Sequence, residues 1–427
     1  MTDATARPAS APAGPMLAAD GTSLKTSLRR ALRAQKMRSL LLIAPLLAFV
    51  LVTFLFPIGD MLFRSVENEI VPETLPKTVA AIADWDQASG ELPGEPAFAA
   101  LHDDLLLAVE AKSHTRLGQR LNYENSGLSS LMRGAGRDVR KMDPAQPFKA
   151  QFLDADPKWG DIRTWQTIRQ FSGRYTAGYM LNAVDLQLTP DGITAKPPAE
   201  RVYIRLFLRT VAMSLAITFS CFLLGYPIAF LLASLPLRTS NLLLILVLLP
   251  FWTSLLVRTA SWKVLLQQQG VINDLLVWSG IISDANRLVM INNATGTIIA
   301  MTHILLPFMI LPLFSVMKTI PPSYLRAAKS LGANDWTAFW RVYFPQTIPG
   351  VGAGAILSFI LAIGYYITPE LVGGTGGVFI SNRIAYHIST SLNWGLAAAL
   401  ATLLLLVVLV LYYTYDRIVG IDNVKLG

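Results

Sequence analysis

Six stretches of about 20 residues, almost free of charge, punctuate this chain. The first runs from about Ser39 to Gly59, with no charge between Arg38 and Asp60. The others lie within 210–235, 240–262, 296–317, 346–369 and 394–415. A helix of roughly 20 apolar residues crosses about 30 Å of hydrocarbon, so the pattern predicts an all-α integral membrane protein with six transmembrane helices. Residues 64–202 break the pattern. They are polar, mixed in charge and lack any span-length apolar run, which predicts a soluble insert after the first helix. Inside it, Phe98, Leu101, Leu105, Leu106 and Val109 recur at helical spacing, as do Trp159, Ile162, Trp165, Ile168 and Phe171. Each set predicts an amphipathic helix burying one stripe.

Composition supports the membrane reading. Only 15% of the 427 residues are charged, against about 25% in soluble domains. The single cysteine, Cys221, lies in an apolar run and predicts an inert packing residue. Residues 1–37 are rich in Ala, Pro, Ser and Thr before turning basic at Lys25, Arg29, Arg30, Arg33 and Lys36. They read as a disordered basic cytoplasmic tail, leading into an uncleaved helix over 38–63. The net charge of +8 fits basic cytoplasmic loops better than nucleic-acid binding. The loop between the fourth and fifth spans carries Lys318, Arg326, Lys329 and Arg341 against Asp335 alone. Six spans then put this loop, the tail and the C-terminus (417–427) in the cytoplasm. The insert and the loops around 264–294 and 370–393 face outward.

Enzyme chemistry finds no support. A phosphate-binding loop needs a Gly-Lys pair, and the chain has none. The segment Gly373-Gly374-Thr375-Gly376-Gly377 reads as a flexible outer loop. The histidines at 102, 114, 303 and 387 lack metal-ligand spacing. His303, inside a span, is a functional candidate or a hydrogen-bonded packing residue. No catalytic residue, metal or cofactor is expected.

The loop 318–345 is the most informative segment. Pro321 and Pro322 open it, Tyr324 to Leu331 are helix formers, and Gly332 stands where a left-handed C-cap belongs. Asn334 or Asp335 can cap a second helix ending before Pro345. A short exposed helix of this kind is a docking element; the bland alternative is a connecting loop.

This loop resembles the signature of binding-protein-dependent ABC importer permeases, with Ala327, Ala328, Gly332, Val342, Phe344 and Pro345 at the family's spacing and Arg326 where a glutamate is usual. Leu224-Gly225-Tyr226-Pro227-Ile228-Ala229, Leu249-Pro250-Phe251-Trp252-Thr253-Ser254 with Arg258, Leu305 to Pro312, and Gly364 to Leu371 are similar to the spermidine/putrescine branch. The likeness covers about 203–416. It implies a type I ABC importer permease fold in the bacterial inner membrane, with the polar insert outside the family core. It implies as partners two copies of an ABC ATPase, a second related permease, an extracytoplasmic solute-binding protein and the lipid bilayer. ATPase coupling would rest on Tyr324, Leu325, Arg326, Ala327, Ala328, Leu331, Gly332 and Ala333. A polyamine is the implied substrate, with Trp252, Tyr365, Tyr366 and Glu370 as pathway candidates. The rival readings are another small solute, a secondary transporter, which would need ion-coupling charges or half-helices in its spans, and a membrane-anchored sensor built around the insert.

Overall fold

The computed structural model describes residues 24–87, 89–189 and 192–419. The first 23 residues and the last eight lie outside that description, as does most of the predicted tail. Its final part is helical, because the first helix already begins at Leu24. Five described helices are long and apolar enough to cross a membrane: Gln35–Arg64, Tyr203–Ser234, Ala294–Thr319, Asp335–Gly364 and Trp394–Arg417. The third predicted span is not one straight helix. Leu237–Trp252 and Leu255–Leu265 meet at 94°. Pro250 contributes no backbone N–H to the turn, and the Ser254 side chain accepts from Val257 N to start the second piece.

The chain divides into two compact units at Met61. The first unit is a helix interrupted by a wide turn over Leu51–Leu55, where Phe56 N–H reaches back five residues to Leu51 O. The same wide turn recurs in the second unit over Phe339–Tyr343, with Phe344 N–H bonded to Phe339 O. Each lies directly before a proline, Pro57 or Pro345. A proline ring clashes with the carbonyl four residues back, and widening the turn moves that carbonyl aside. The second loop helix therefore does not stop before Pro345, as the sequence suggests. It runs on as the span Asp335–Gly364.

The second unit is built on the Tyr203, Ala294 and Phe344 helices, which pack against one another. Ile217, Cys221, Leu305, Met309, Leu313 and Ala362 lie in their shared core. Lys318 Nζ donates to Ala233 O across the helix ends, so the Tyr203 and Ala294 helices run in the same direction. At their starts, Ile380 N donates to Thr210 Oγ1 and Thr297 Oγ1 donates to Gly377 O. Glycine lets the backbones touch. A Cβ on Gly354 would meet Met309 Sδ at 2.7 Å and Met309 O at 3.0 Å. The glycine-rich segment 373–377 is likewise a packed turn rather than a flexible loop. A Cβ on Gly373 or Gly377 would lie 2.5 Å from Thr297 Oγ1.

The insert is mostly helical, with its own core. Phe98 stacks edge-on to Trp165 at 4.5 Å, and Phe152 to Trp159 at 5.2 Å. The first predicted stripe is the helix Glu95–Glu110. The second is split, because Asp161 caps a new helix at Ile162 and leaves Trp159 in a preceding 3-10 turn. A two-stranded hairpin, Leu186–Thr189 with Gly192–Ala195, was not legible in the sequence. Asn68 closes the insert by donating to the carbonyls of Phe171 and Gly173. Asp185 then fixes it to the bundle, its carboxylate accepting from the backbone N–H groups of Val202, Tyr203 and Ile204 at the start of the Tyr203 helix. Tyr203 OH and His387 Nε2 lie 3.0 Å apart. Burial and the nearby charges of Arg383 and Lys196 push His387 down to about 4, so at neutral pH it joins this contact uncharged. The insert thus sits at the start of the Tyr203 helix, and the loop after Thr319 lies at the opposite end.

Candidate functional site

The loop is a short helix, Pro322–Ser330, closed by two reciprocal bonds: Ala333 N to Ala328 O and Gly332 N to Lys329 O, each 3.0 Å. That pattern is a Schellman cap, and it needs a left-handed residue at the glycine. Gly332 has φ +88°. Asn334, one of the two residues the sequence offers, caps the next helix, Asp335–Ala338, by accepting from Thr337 N–H. Leu325 and Ala328 turn inward, toward Phe339 and the bundle core. Tyr324, Arg326, Ala327 and Leu331 face out, Leu331 at 89% exposure and the nearby Trp336 at 72%. Two large apolar side chains thus stand in solvent on an otherwise polar, basic loop. Lys329 pairs with Asp335 across the cap, in solvent.

Of the four pathway candidates, Tyr365, Tyr366 and Glu370 lie together towards the other end of the bundle, and Trp252 stands apart, beside Phe251, which packs on Phe308 midway along the Ala294 helix. Tyr365 is half-buried, and its carbonyl accepts from Ser381 Oγ at 2.6 Å. Tyr366 is exposed, and its carbonyl accepts from Asn382 Nδ2. The same Asn382 amide donates to Glu370 Oε2 at 2.6 Å, so the short Ile380–Ser389 helix organises all three. Trp252 is 75% exposed at the bend of the broken span and joins none of these contacts. Glu370 opens into a cavity of about 480 Å³ that also receives Arg205, Arg209 and Arg383. Sequence reading missed these arginines. Arg205 and Arg209 share one helix face by their spacing of four, which was a usable signal. Arg383 joins them only through tertiary folding.

Within the spans, Trp262 Nε1 donates to His303 Nδ1 at 3.1 Å, which favours the packing role for His303. Thr259 and Thr368 hydroxyls meet at 3.0 Å and tie the second half of the broken span to the Glu370 segment. Arg258 sits beside the Phe251 ring, and its Nε is buried without a partner among the described residues.

Residues 211–419 match the family of binding-protein-dependent transport system inner membrane components. The spermidine/putrescine transport system permease protein PotB of Escherichia coli (strain K12) is 35% identical over 224 residues, covering 52% of this chain and 81% of that protein. PotB of Haemophilus influenzae is 35% identical over 222 residues, covering 51% and 77%. Among solved structures, a bacterial alginate ABC transporter in complex with an alginate pentasaccharide-bound periplasmic protein covers 53% of this chain and 80% of its own, at 19% identity and a TM-score of 0.41. With its multi-pass apolar helices and this identity across most of the length of its relatives, the chain belongs to the inner-membrane permeases of binding-protein-dependent ABC importers, in the spermidine/putrescine-like branch.

Proposed function

We propose that this permease forms half of the translocation pathway of an ATP-driven polyamine importer, and that 318–345 is its coupling loop to a separate ATPase. The 35% identity to the PotB proteins over more than 220 residues carries the substrate assignment. The exposed, rigidly capped helix Pro322–Ser330 supports the coupling role. A second related permease would complete the pathway, two ATPase copies would drive it, and a solute-binding protein would deliver the polyamine. A dehydrated polyamine needs aromatic faces or carbonyls to replace its water. Tyr365, Tyr366 and Trp252 supply faces, since the Tyr365 and Tyr366 carbonyls already accept from Ser381 and Asn382. Glu370, surrounded by arginines, is a poor ligand for a free cation, and we assign it to the cavity instead.

Cells carrying the whole system should take up labelled spermidine or putrescine saturably. Tyr366→Leu should raise the half-saturating concentration about fivefold, the equivalent of about 1 kcal/mol of cation–π attraction. If neither compound is taken up and the binding protein has no affinity for them, the substrate assignment fails and the permease family stands.

We further propose that the loop and both termini are cytoplasmic and the insert is extracytoplasmic, from the basic residues of the loop. Ser130 and Ser330 are both exposed and lie at opposite ends of the bundle. In a Cys221→Ser background, an impermeant thiol reagent on intact cells should label Ser130→Cys and spare Ser330→Cys. The reverse labelling would invert the topology and remove the coupling assignment.

A further inference from the structure

The first helix does not begin at the membrane. It starts at Leu24, whereas its uncharged run starts at Ser39, so about four turns of continuous helix stand outside the hydrocarbon. Those turns carry Lys25, Arg29, Arg30, Arg33, Lys36 and Arg38, and no acid occurs anywhere between Asp20 and Asp60. At 3.6 residues per turn, positions 25, 29, 33 and 36 return to one face within an arc of roughly 80°. A preference for basic residues beside a span explains their number, but not their return to one face. Like charges four apart on a helix repel, and this helix offers the stripe no acid in relief. Arg33, Lys36 and Arg38 are exposed and form no ion pair among the described residues.

The helix also sets the height of each cation. It rises about 1.5 Å per residue, and a headgroup layer is about 5–8 Å deep. On an upright helix, Arg38, Lys36 and Arg33 stand within about 9 Å of the hydrocarbon, where lipid phosphates lie. Arg30 and Arg29 follow at about 14–15 Å, within one screening length of that layer at physiological salt. Lys25, at about 21 Å, lies beyond it. Guanidinium places paired N–H donors on phosphate oxygens. A zwitterionic headgroup answers its phosphate with its own ammonium, so a cationic stripe retains the lipids that carry net negative charge. We propose that residues 24–38 form a binding site for anionic phospholipid headgroups, with Arg29, Arg33 and Lys36 as its centre. The proposal does not rest on the importer reading, because lipid binding is measured without transport.

The test reconstitutes the full chain in liposomes of equal phosphatidylglycerol and phosphatidylcholine, re-extracts it in mild detergent and counts the retained lipids by mass spectrometry. Wild type should enrich phosphatidylglycerol, and Arg29→Gln/Arg33→Gln/Lys36→Gln should lower that enrichment about threefold or more. Arg29→Lys/Arg33→Lys keeps the charge and should keep most of the enrichment. Arg133→Gln/Arg137→Gln/Arg140→Gln removes the same charge from exposed positions of the insert and should behave as wild type does. A second readout places the binding. Gln35 is exposed on the same helix, and an environment-sensitive dye on Gln35→Cys, in a Cys221→Ser background, should shift its emission as phosphatidylglycerol replaces phosphatidylcholine. Raising salt should reverse the shift. Unchanged enrichment in the stripe variant overturns the proposal, as does an equal loss in the insert control. An unresponsive dye on otherwise unaltered protein overturns it whether or not the stripe variant folds. Loss of the shift on adding millimolar inorganic phosphate overturns it in favour of a small-anion site. Lipid selection without polyamine uptake would leave this proposal standing while the importer reading fell.

Discussion

Leucine at position 354 is expected to destabilise the bundle strongly. The Phe344 and Ala294 helices approach so closely here that even a β-carbon would sit 3.0 Å from the Met309 carbonyl oxygen and 3.3 Å from its Cα. Met309 Sδ, at 2.7 Å, can rotate away, but the backbone cannot. Gly350, one helical turn earlier, is held in the same way by Pro312 O at 3.2 Å and Leu313 Cα at 3.2 Å. The two glycines form the small-residue ridge that membrane helices use where burial of apolar surface gives no driving force. Overpacking alone costs about 1–3 kcal/mol, and forced separation of two helices adds lost contacts along their length. A Gly354→Leu protein should unfold at a temperature about 5–10 °C lower, measured on purified protein by loss of helical signal. Gly364→Ala serves as the control, because a β-carbon there meets nothing within 4 Å. Equal thermal stability of Gly354→Leu and wild type would mean that the two helices do not pack as described.

The sequence disclosed the features that rest on local patterning. Apolar run length located the five unbroken spans, because nothing but a membrane or a deep core tolerates 20 residues without charge. The Gly332 cap was legible because a left-handed residue after a run of helix formers has few alternatives to glycine. The errors arise where a local signal has two physical solutions. Proline at 345 reads as a helix end, yet a wide turn let the helix continue. Proline at 250 sits inside an apolar run that reads as one span, yet the chain bends there. The glycines at 373, 374 and 377 read as freedom and turned out to be close contact, since only a residue without a β-carbon fits against Thr297 and Asn292, while Gly376 alone of the set has open space. The arginine cavity needed the fold itself. Its members come from two helices far apart in sequence, and no periodicity connects Arg383 to Arg205.

Valine at position 332 should separate the two readings of the basic loop, coupling element or plain connector. Gly332 lies at φ +88°, and a β-carbon there would meet nothing within 4 Å, so the obstacle to substitution is conformation and not space. A left-handed backbone costs an ordinary L-residue roughly 1–2 kcal/mol, and β-branching makes valine among the least tolerant. To relieve that strain the Schellman bonds from Gly332 and Ala333 must open. The Pro322–Ser330 helix would then lose its fixed angle to the Asn334 cap and to the span beyond. Since the strain sits at an exposed cap outside the bundle core, membrane insertion and thermal stability should remain close to wild type. Uptake should fall by about tenfold, the rate equivalent of 1–2 kcal/mol at the docking helix, and less ATPase should co-purify with the complex. Asparagine tolerates the left-handed region far better than valine, so Gly332→Asn should recover most of the uptake. Gly332→Ala should fall between the two. That graded order, Asn above Ala above Val, tracks backbone tolerance and not side-chain size, and a loop serving only to join two spans would not produce it. Wild-type uptake and ATPase association in Gly332→Val would reduce the segment to a connector.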